Sequence, residues 1–191
     1  MPKDYLHSLP PDLPVPLDDG ACDHLAGCRL PSVVLPATDG TVVDLAALAG
    51  RVVVFAYPRT GRPQEPPLVP DWDLIPGARG CTPQTCAFRD LHAEFEKLDC
   101  RVFGLSTQDT DYQRELVHRE HVPFPILSDA RLELTTALHL PTFTAAGLTL
   151  LKRLAWVADD GAIRKVFYPV FPSDRNASEV LAWLRNQPAR D

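Results

Sequence analysis

Two apolar runs, RVVVFAY at 51–57 and RVFGLST at 101–107, constrain the fold most, because one amphipathic helical stretch lies between them. Each run is nearly continuous in apolar residues, as expected of a strand covered on both faces. The stretch from about Thr82 to Leu98 repeats Phe88, Leu91, Phe95 and Leu98 at helical spacing, which predicts one helix with a buried stripe. Strands joined through helices favour parallel pairing. DTDYQRELVHREH (109–121) then predicts a mostly polar helix with Asp109 or Thr110 as N-cap. PILSD reads as a short strand and RLELTTALH as a short helix. LKRLAWVAD and AIRKVFYPV flank Asp160-Gly161, a strong hairpin signal. A last helix starts near Asn176, where Asn176-Ala-Ser-Glu179 resembles a capping box, and turns Val180, Leu181 and Leu184 inward.

Upstream, SVVLP and TVVDL read as a hairpin about Asp39-Gly40, and AALAG as a short helix closed by Gly50. After residue 50 the order is β-α-β-α-β-α-β-β-α. This predicts an α/β protein with a mixed central sheet flanked by helices, the layout of a thioredoxin fold with an N-terminal hairpin added. Proline supplies 20 of the 191 residues, and 13 of those precede residue 80. Residues 1–31 are therefore expected as a proline-rich arm, and 32–187 as the folded domain.

A net charge of −6 provides no basic footprint, so nucleic acid is not an expected partner. The start, MPKDYLHSLPPDLPVPLDDG, lacks the basic and then apolar pattern of a secretory signal. The longest strongly apolar run, Val52 to Tyr57, is too short to span a bilayer. The expectation is a cytoplasmic protein with no membrane contact. Five cysteines are an odd count, unlike a secreted disulfide framework.

Chemistry concentrates in GCTPQTCAFRD, residues 80–90. Cys81 stands at a predicted helix N-terminus, where free N–H groups and the helix dipole favour an anion and so a thiolate. It also falls on the buried stripe, so it is either a small core thiol or a nucleophile. Cys86 is five residues on, ~7.5 Å higher and rotated by about 140°. A disulfide needs Cα atoms within roughly 7 Å and converging side chains. The two thiols can therefore join only if the first turns unwind. Cys100 begins the next strand and is expected to be structural. Cys22 and Cys28 flank His24 in the arm; a zinc site there lacks the usual ligand spacing, and both are expected as exposed thiols without a role.

These residues resemble the peroxiredoxin Q, or bacterioferritin comigratory protein, branch of the thiol peroxidases. GCTPQTCAFRD is similar to its active-site segment, VVFAYP to its strand ending in Tyr-Pro, and RVFGLSTQD to the next strand. RLAWVADDGAIRKVFYPV resembles its arginine-bearing strand and hairpin. The resemblance covers roughly residues 32–185. It implies a peroxidatic Cys81, a resolving Cys86 that forms an intramolecular disulfide, and an Arg153 that stabilises the thiolate and the breaking O–O bond. It further implies a peroxide substrate, a thioredoxin-like dithiol reductant, no cofactor and no metal, in a monomer or weak homodimer.

One departure stands out. The family pattern puts a Thr or Ser hydroxyl three residues before the first cysteine, where this chain has Ala78. Pro58 follows its strand as the pattern asks and is expected beside the pocket, but residues 59–80 separate it from Cys81 where the motif allows six. A segment of about sixteen residues is inserted. Thr60 is the candidate for the missing hydroxyl, with Thr82 as a weaker substitute. The inserted loop is expected either to wall the pocket or dock the reductant, or to be a surface flap. The competing reading is a thioredoxin-fold redox sensor or metal-binding protein without turnover. A general disulfide oxidoreductase would want Cys-x-x-Cys at the helix start, which this chain lacks.

Overall fold

The computed structural model describes residues 5–188. Its sheet is built outward from β3 (Arg51–Ala56), in which every residue is buried. β4 (Cys100–Ser106) pairs parallel to β3, and β5 (Ile126–Ser128) pairs parallel to β4. On the other side β8 (Leu154–Asp159) runs antiparallel to β3, and β9 (Ala162–Phe167) antiparallel to β8. The order is β5-β4-β3-β8-β9, a mixed five-stranded sheet.

The period of two along β3 explains why its sequence is apolar throughout. Val52, Val54 and Ala56 join Leu35, Leu105 and Trp156 on one face. Val53, Phe55 and Tyr57 join Phe88, Phe95 and Leu181 on the other. The second face is covered by α1 (Cys81–Asp90), α2 (His92–Glu96), α3 (Thr110–Glu120) and α5 (Asn176–Arg185). The first carries α4 (Glu133–Ala137) and the hairpin of β1 (Val34–Pro36) with β2 (Val42–Asp44). Gly40 turns that hairpin at φ 87°, and Asp39 accepts from the Thr41 N–H and hydroxyl.

The mixed sheet flanked by helices is as expected, and four local expectations need correction. The helix predicted over 82–98 breaks at Leu91, which leaves helical geometry at φ −100°, ψ 5°. With the break, Phe88 stacks on Phe55 at 4.2 Å and on Phe95 at 5.6 Å, and all three rings lie against the sheet. The strand expected from Leu151 starts later. Leu151 instead ends β7 (Leu148–Leu151), which pairs with β6 (Thr142–Ala145) through Ala146-Gly147, both at positive φ. Lys152 and Arg153 are the junction between β7 and β8. Asn176 does not cap α5; its side chain accepts from Gln84 in the interior. Cys22 is buried beside Leu25 and Leu30 in the core, because residues of the arm pack on the sheet rather than leave it.

Candidate active site

α1 starts on Gly80, whose φ of 104° suits glycine and leaves the helix without a side-chain cap. A Cβ there would lie 2.2 Å from the Ser173 hydroxyl. The first-turn N–H groups of Cys81 and Thr82 have no acceptor within the helix, and Pro83 contributes none. Cys81 itself is 4% exposed, at the floor of a cavity of about 250 Å³.

Arg153 comes to Cys81 from the opposite side. Ala56 pairs with Leu154 at the end of the ladder, so Arg153 falls one residue past it, level with Tyr57. Its Nη2 donates to Cys81 Sγ at 3.1 Å. The same guanidinium donates to the carbonyls of Gly77, Ala78 and Arg79 and to Gln84 Oε1. Gln84 is held in turn by Nε2 donating to Asn176 Oδ1 at 2.8 Å. Arg153, Gln84 and Asn176 are all buried. An arginine does not give up its proton, and a buried cation requires a partner of opposite charge. Among the described residues Arg153 has no carboxylate partner; the side-chain atoms it reaches are Gln84 Oε1 and Cys81 Sγ. Ala78 contributes its backbone: its carbonyl lies 3.5 Å from Sγ and accepts from Arg153.

Thr60 lines the same cavity as Cys81 and is 1% exposed. Its N–H and hydroxyl both donate to Gln108 Oε1, at 2.9 and 3.1 Å, and its carbonyl accepts from Gln108 Nε2. The hydroxyl thus stands in the pocket with its hydrogen on Gln108 rather than on the sulfur. Thr82 also lines the cavity. Pro58 is buried at the end of β3 and is not among the cavity-lining residues.

The inserted segment is packed rather than loose. Trp72 and Ala78 form a small core with Ala145 and Leu150 of the β6–β7 hairpin, with Trp72 6.3 Å from the Phe143 ring. Arg79 is fixed by Asp73 at 3.0 Å through both carboxylate oxygens and by the Tyr5 ring, 3.5 Å from its guanidinium carbon. The Tyr5 hydroxyl donates to Asp73 at 2.7 Å. Tyr5 and Leu6 of the arm and Leu68 and Trp72 of the insertion therefore wall the cavity.

Cys86 is half-buried on the same helix, its Sγ 3.5 Å from Glu120 Oε2. Burial, and then the Glu120 charge, push its thiol up to about 12. All five cysteines are free thiols, and α1 is wound through both Cys81 and Cys86. Burial likewise pushes Cys22 and Cys100 up to about 12. His24 reaches the Leu138 carbonyl, Cys28 donates to the His24 carbonyl, and Cys22 is buried in the core. The grouping with three metal-capable donors within 4.8 Å, among the described residues, is His7, Cys86 and Glu120.

The Redoxin family model matches residues 25–182. The chain belongs to the Redoxin family. Within it the relatives are peroxiredoxin Q and bacterioferritin comigratory proteins. "Peroxiredoxin Q, chloroplastic" of Oryza sativa subsp. japonica is 29% identical over 162 residues, 84% of this chain and 66% of the relative. "Peroxiredoxin bcp1" of Schizosaccharomyces pombe is 32% identical over 115 residues, 59% of this chain and 50% of that one. This Redoxin chain therefore spans about two thirds or less of the length of these two relatives. Among solved structures, peroxidoxin BcpB of Mycobacterium tuberculosis superimposes with TM-score 0.68 at 28% identity, covering 84% of this chain and 96% of that one. Peroxiredoxin Q of Xanthomonas campestris does so with TM-score 0.65 at 22% identity, over 90% and 95%. No helix among the described residues is long and apolar enough to cross a membrane.

Cys81 and Thr60 thus line one cavity, Arg153 reaches the Cys81 sulfur from behind without lining it, and Cys86 lies apart from it on the same helix. The sequence assigns nothing to Gln84, Gln108 or Glu120, and gives Asn176 only a helix cap that it does not make. Gln84 and Gln108 sit inside the quoted segments GCTPQTCAFRD and RVFGLSTQD, but nothing in those segments marks either amide as buried.

Proposed function

We propose that this protein is a thiol peroxidase that reduces hydroperoxides through Cys81 and resolves through Cys86. The observation that carries the reading is the buried Arg153 guanidinium 3.1 Å from Cys81 Sγ, with no carboxylate to neutralise it among the described residues. A thiolate at Cys81 attacks the distal oxygen of ROOH. The O–O bond breaks, Cys81 becomes a sulfenic acid and the alkoxide leaves as ROH with a proton. Arg153 and the first-turn N–H groups stand where negative charge moves from sulfur to the leaving oxygen, fixed before the reaction begins. Thr60, clamped by Gln108, accepts from the peroxide O–H or turns its hydroxyl to the sulfur.

Cys86 then condenses with the sulfenic acid after local unwinding of α1, releasing water. A thioredoxin-like dithiol restores both thiols by exchange. Leu6, Leu68 and Trp72 suit an organic body on the hydroperoxide, beside hydrogen peroxide itself. Five free thiols accord with a reducing compartment such as the cytoplasm.

One feature favours the second reading, a redox sensor without turnover: the Thr60 hydroxyl donates to Gln108, not to Cys81. A single assay separates the two. Consumption of hydrogen peroxide and of cumene hydroperoxide is followed with thioredoxin, thioredoxin reductase and NADPH. The peroxidase turns over continuously, Cys81→Ser is inactive, and Cys86→Ser consumes one equivalent and stalls. Sustained turnover by Cys81→Ser would sink the assignment, and a single turnover by wild type would favour the sensor.

A further inference from the structure

The helix that carries both thiols is fastened at a point the chemistry above does not use. Glu120, the last residue of α3, has a side chain only 7% exposed, and its carboxylate meets four donors. His7 Nε2 at 2.9 Å and the Arg119 guanidinium reach Oε1. Arg89 Nη1 and Cys86 Sγ, each at 3.5 Å, reach Oε2. Arg89 also donates to the Glu120 carbonyl at 2.7 Å. Cys86 and Arg89 lie one turn apart on α1, and His7 belongs to the N-terminal arm. One carboxylate therefore ties α1 to α3, with the arm laid across the knot.

The same three donors, His7, Cys86 and Glu120, invite a metal. Two guanidinium groups on that carboxylate oppose a cation, however, and both of its oxygens already have two donors. The cluster is built as a fastening.

Its place on α1 matters because Cys86 reaches Cys81 only when the helix opens. Opening draws Cys86 off Glu120, pulls at Arg89 and leaves a buried carboxylate with fewer donors, which is costly. We propose that Glu120, with His7 seated on it, is a positioning residue that holds Cys86 in the wound helix and so sets how fast the Cys81 sulfenic acid closes to the disulfide. This rests on Cys86 being the resolving thiol. In that step the Cys81 S–O bond breaks and the S–S bond forms. The Cys86 sulfur is oxidised, the Cys81 sulfur reduced, and the thiol proton leaves with the hydroxyl as water. The competing step is attack of the sulfenic acid on a second hydroperoxide, giving sulfinic acid and ROH. A tight fastening lengthens the life of the sulfenic acid and favours that loss.

The test uses the reduced 191-residue chain mixed with a small excess of hydrogen peroxide. Samples are quenched by alkylation at timed intervals and read by mass spectrometry. Disulfide formation is the phase whose rate does not depend on peroxide concentration. Glu120→Gln is expected to speed it about tenfold, equivalent to ~1.4 kcal/mol, and to lower the sulfinic acid formed at high peroxide. His7→Ala is expected to speed it severalfold and to add nothing in the Glu120→Gln background, because it acts through that carboxylate. A disulfide phase unchanged or slower in both single variants overturns the proposal. His7 is exposed, so its variant keeps the test decisive if Glu120→Gln does not fold. Cys86→Ser separates the two failures: if it still forms a Cys81 disulfide at the wild-type rate, the resolving role falls and the proposal with it.

Discussion

The Nη2 of Arg153 lies 3.1 Å from the Sγ of Cys81, with both side chains almost wholly buried. The arginine arrives from the strand junction at 152–153 and the cysteine from a helix start, and neither position alone implies the contact. The same guanidinium spans three carbonyls of the loop that precedes Cys81. It therefore holds the loop that leads into Cys81 as well as standing against the sulfur.

Arg153→Met should lower the rate of Cys81 oxidation by hydrogen peroxide by about 10²-fold or more, on the scale of losing a preorganised donor at a developing anion. Arg153→Lys keeps a charge but not the fork that meets sulfur and carbonyls together, so it should recover only part of that loss. Stopped-flow measurement of the first oxidation step, with alkylation rates of Cys81 beside it, checks both variants. Equal rates in wild type and Arg153→Met would remove Arg153 from the chemistry.

Gln84 links Arg153 to Asn176 in the interior. Gln84→Ala should leave the Asn176 amide and one guanidinium nitrogen short of a partner. The expected cost is about 1–3 kcal/mol of stability, seen as a lower thermal midpoint by several degrees. The first oxidation step should slow as well, because Arg153 loses its orienting partner. Gln84→Glu, which still accepts from Arg153 but neutralises it with a carboxylate, should slow that step too, because the Cys81 sulfur is then no longer the matching charge.

Much of this architecture was legible in the chain. β3 and β4 declared themselves because a strand covered on both faces has no polar alternation to hide it. Asp39-Gly40 and Asp160-Gly161 marked their hairpins by backbone preference alone. The β6–β7 hairpin escaped because Ala146-Gly147 is a weak turn signal, and Ala146 takes positive φ only under tertiary constraint. That omission moved the expected start of β8 to Leu151 and concealed that Arg153 sits in a junction. The Thr60–Gln108 clamp joins residues 48 apart, and His7–Glu120 joins residues 113 apart. Periodicity carries no information about either pair. Cys22 was misjudged for a related reason: a proline-rich stretch reads as irregular, but irregular backbone can still bury its side chains.

Thr60→Val tests the substitute for the hydroxyl absent at Ala78. It should slow peroxide reduction by roughly tenfold, within the range for one positioned proton-handling group. Gln108→Leu should slow it too, by freeing Thr60 from its clamp. Unchanged turnover in Thr60→Val would take Thr60 out of the mechanism and turn attention to Thr82.

Stability should fall in alkali. Burial raises Cys22, Cys86 and Cys100 to about 12 in the folded chain, whereas unfolded thiols titrate near ~8.5. Below about 8.5 both states keep the protons and the full stability is present. From there to about 12 the unfolded chain releases protons first, so each unit of pH favours unfolding. The urea midpoint should drop across this window, and Cys100→Ala should flatten the slope. A midpoint independent of pH from roughly 8.5 to 11 would contradict the burial of these thiols.

If Cys81 attacks and Cys86 resolves, one short segment, residues 80–89, holds both thiols. Trypsin cuts after Arg79 and Arg89, so both cysteines fall in a single peptide, GCTPQTCAFR. The protein is treated with one equivalent of hydrogen peroxide, free thiols are alkylated, and that peptide is weighed. Thiol peroxidase chemistry predicts a peptide lighter by two hydrogens and unalkylated, its Cys81–Cys86 disulfide reversed by thioredoxin. Recovery of the peptide with both thiols alkylated, while the peroxide has been consumed, would contradict it.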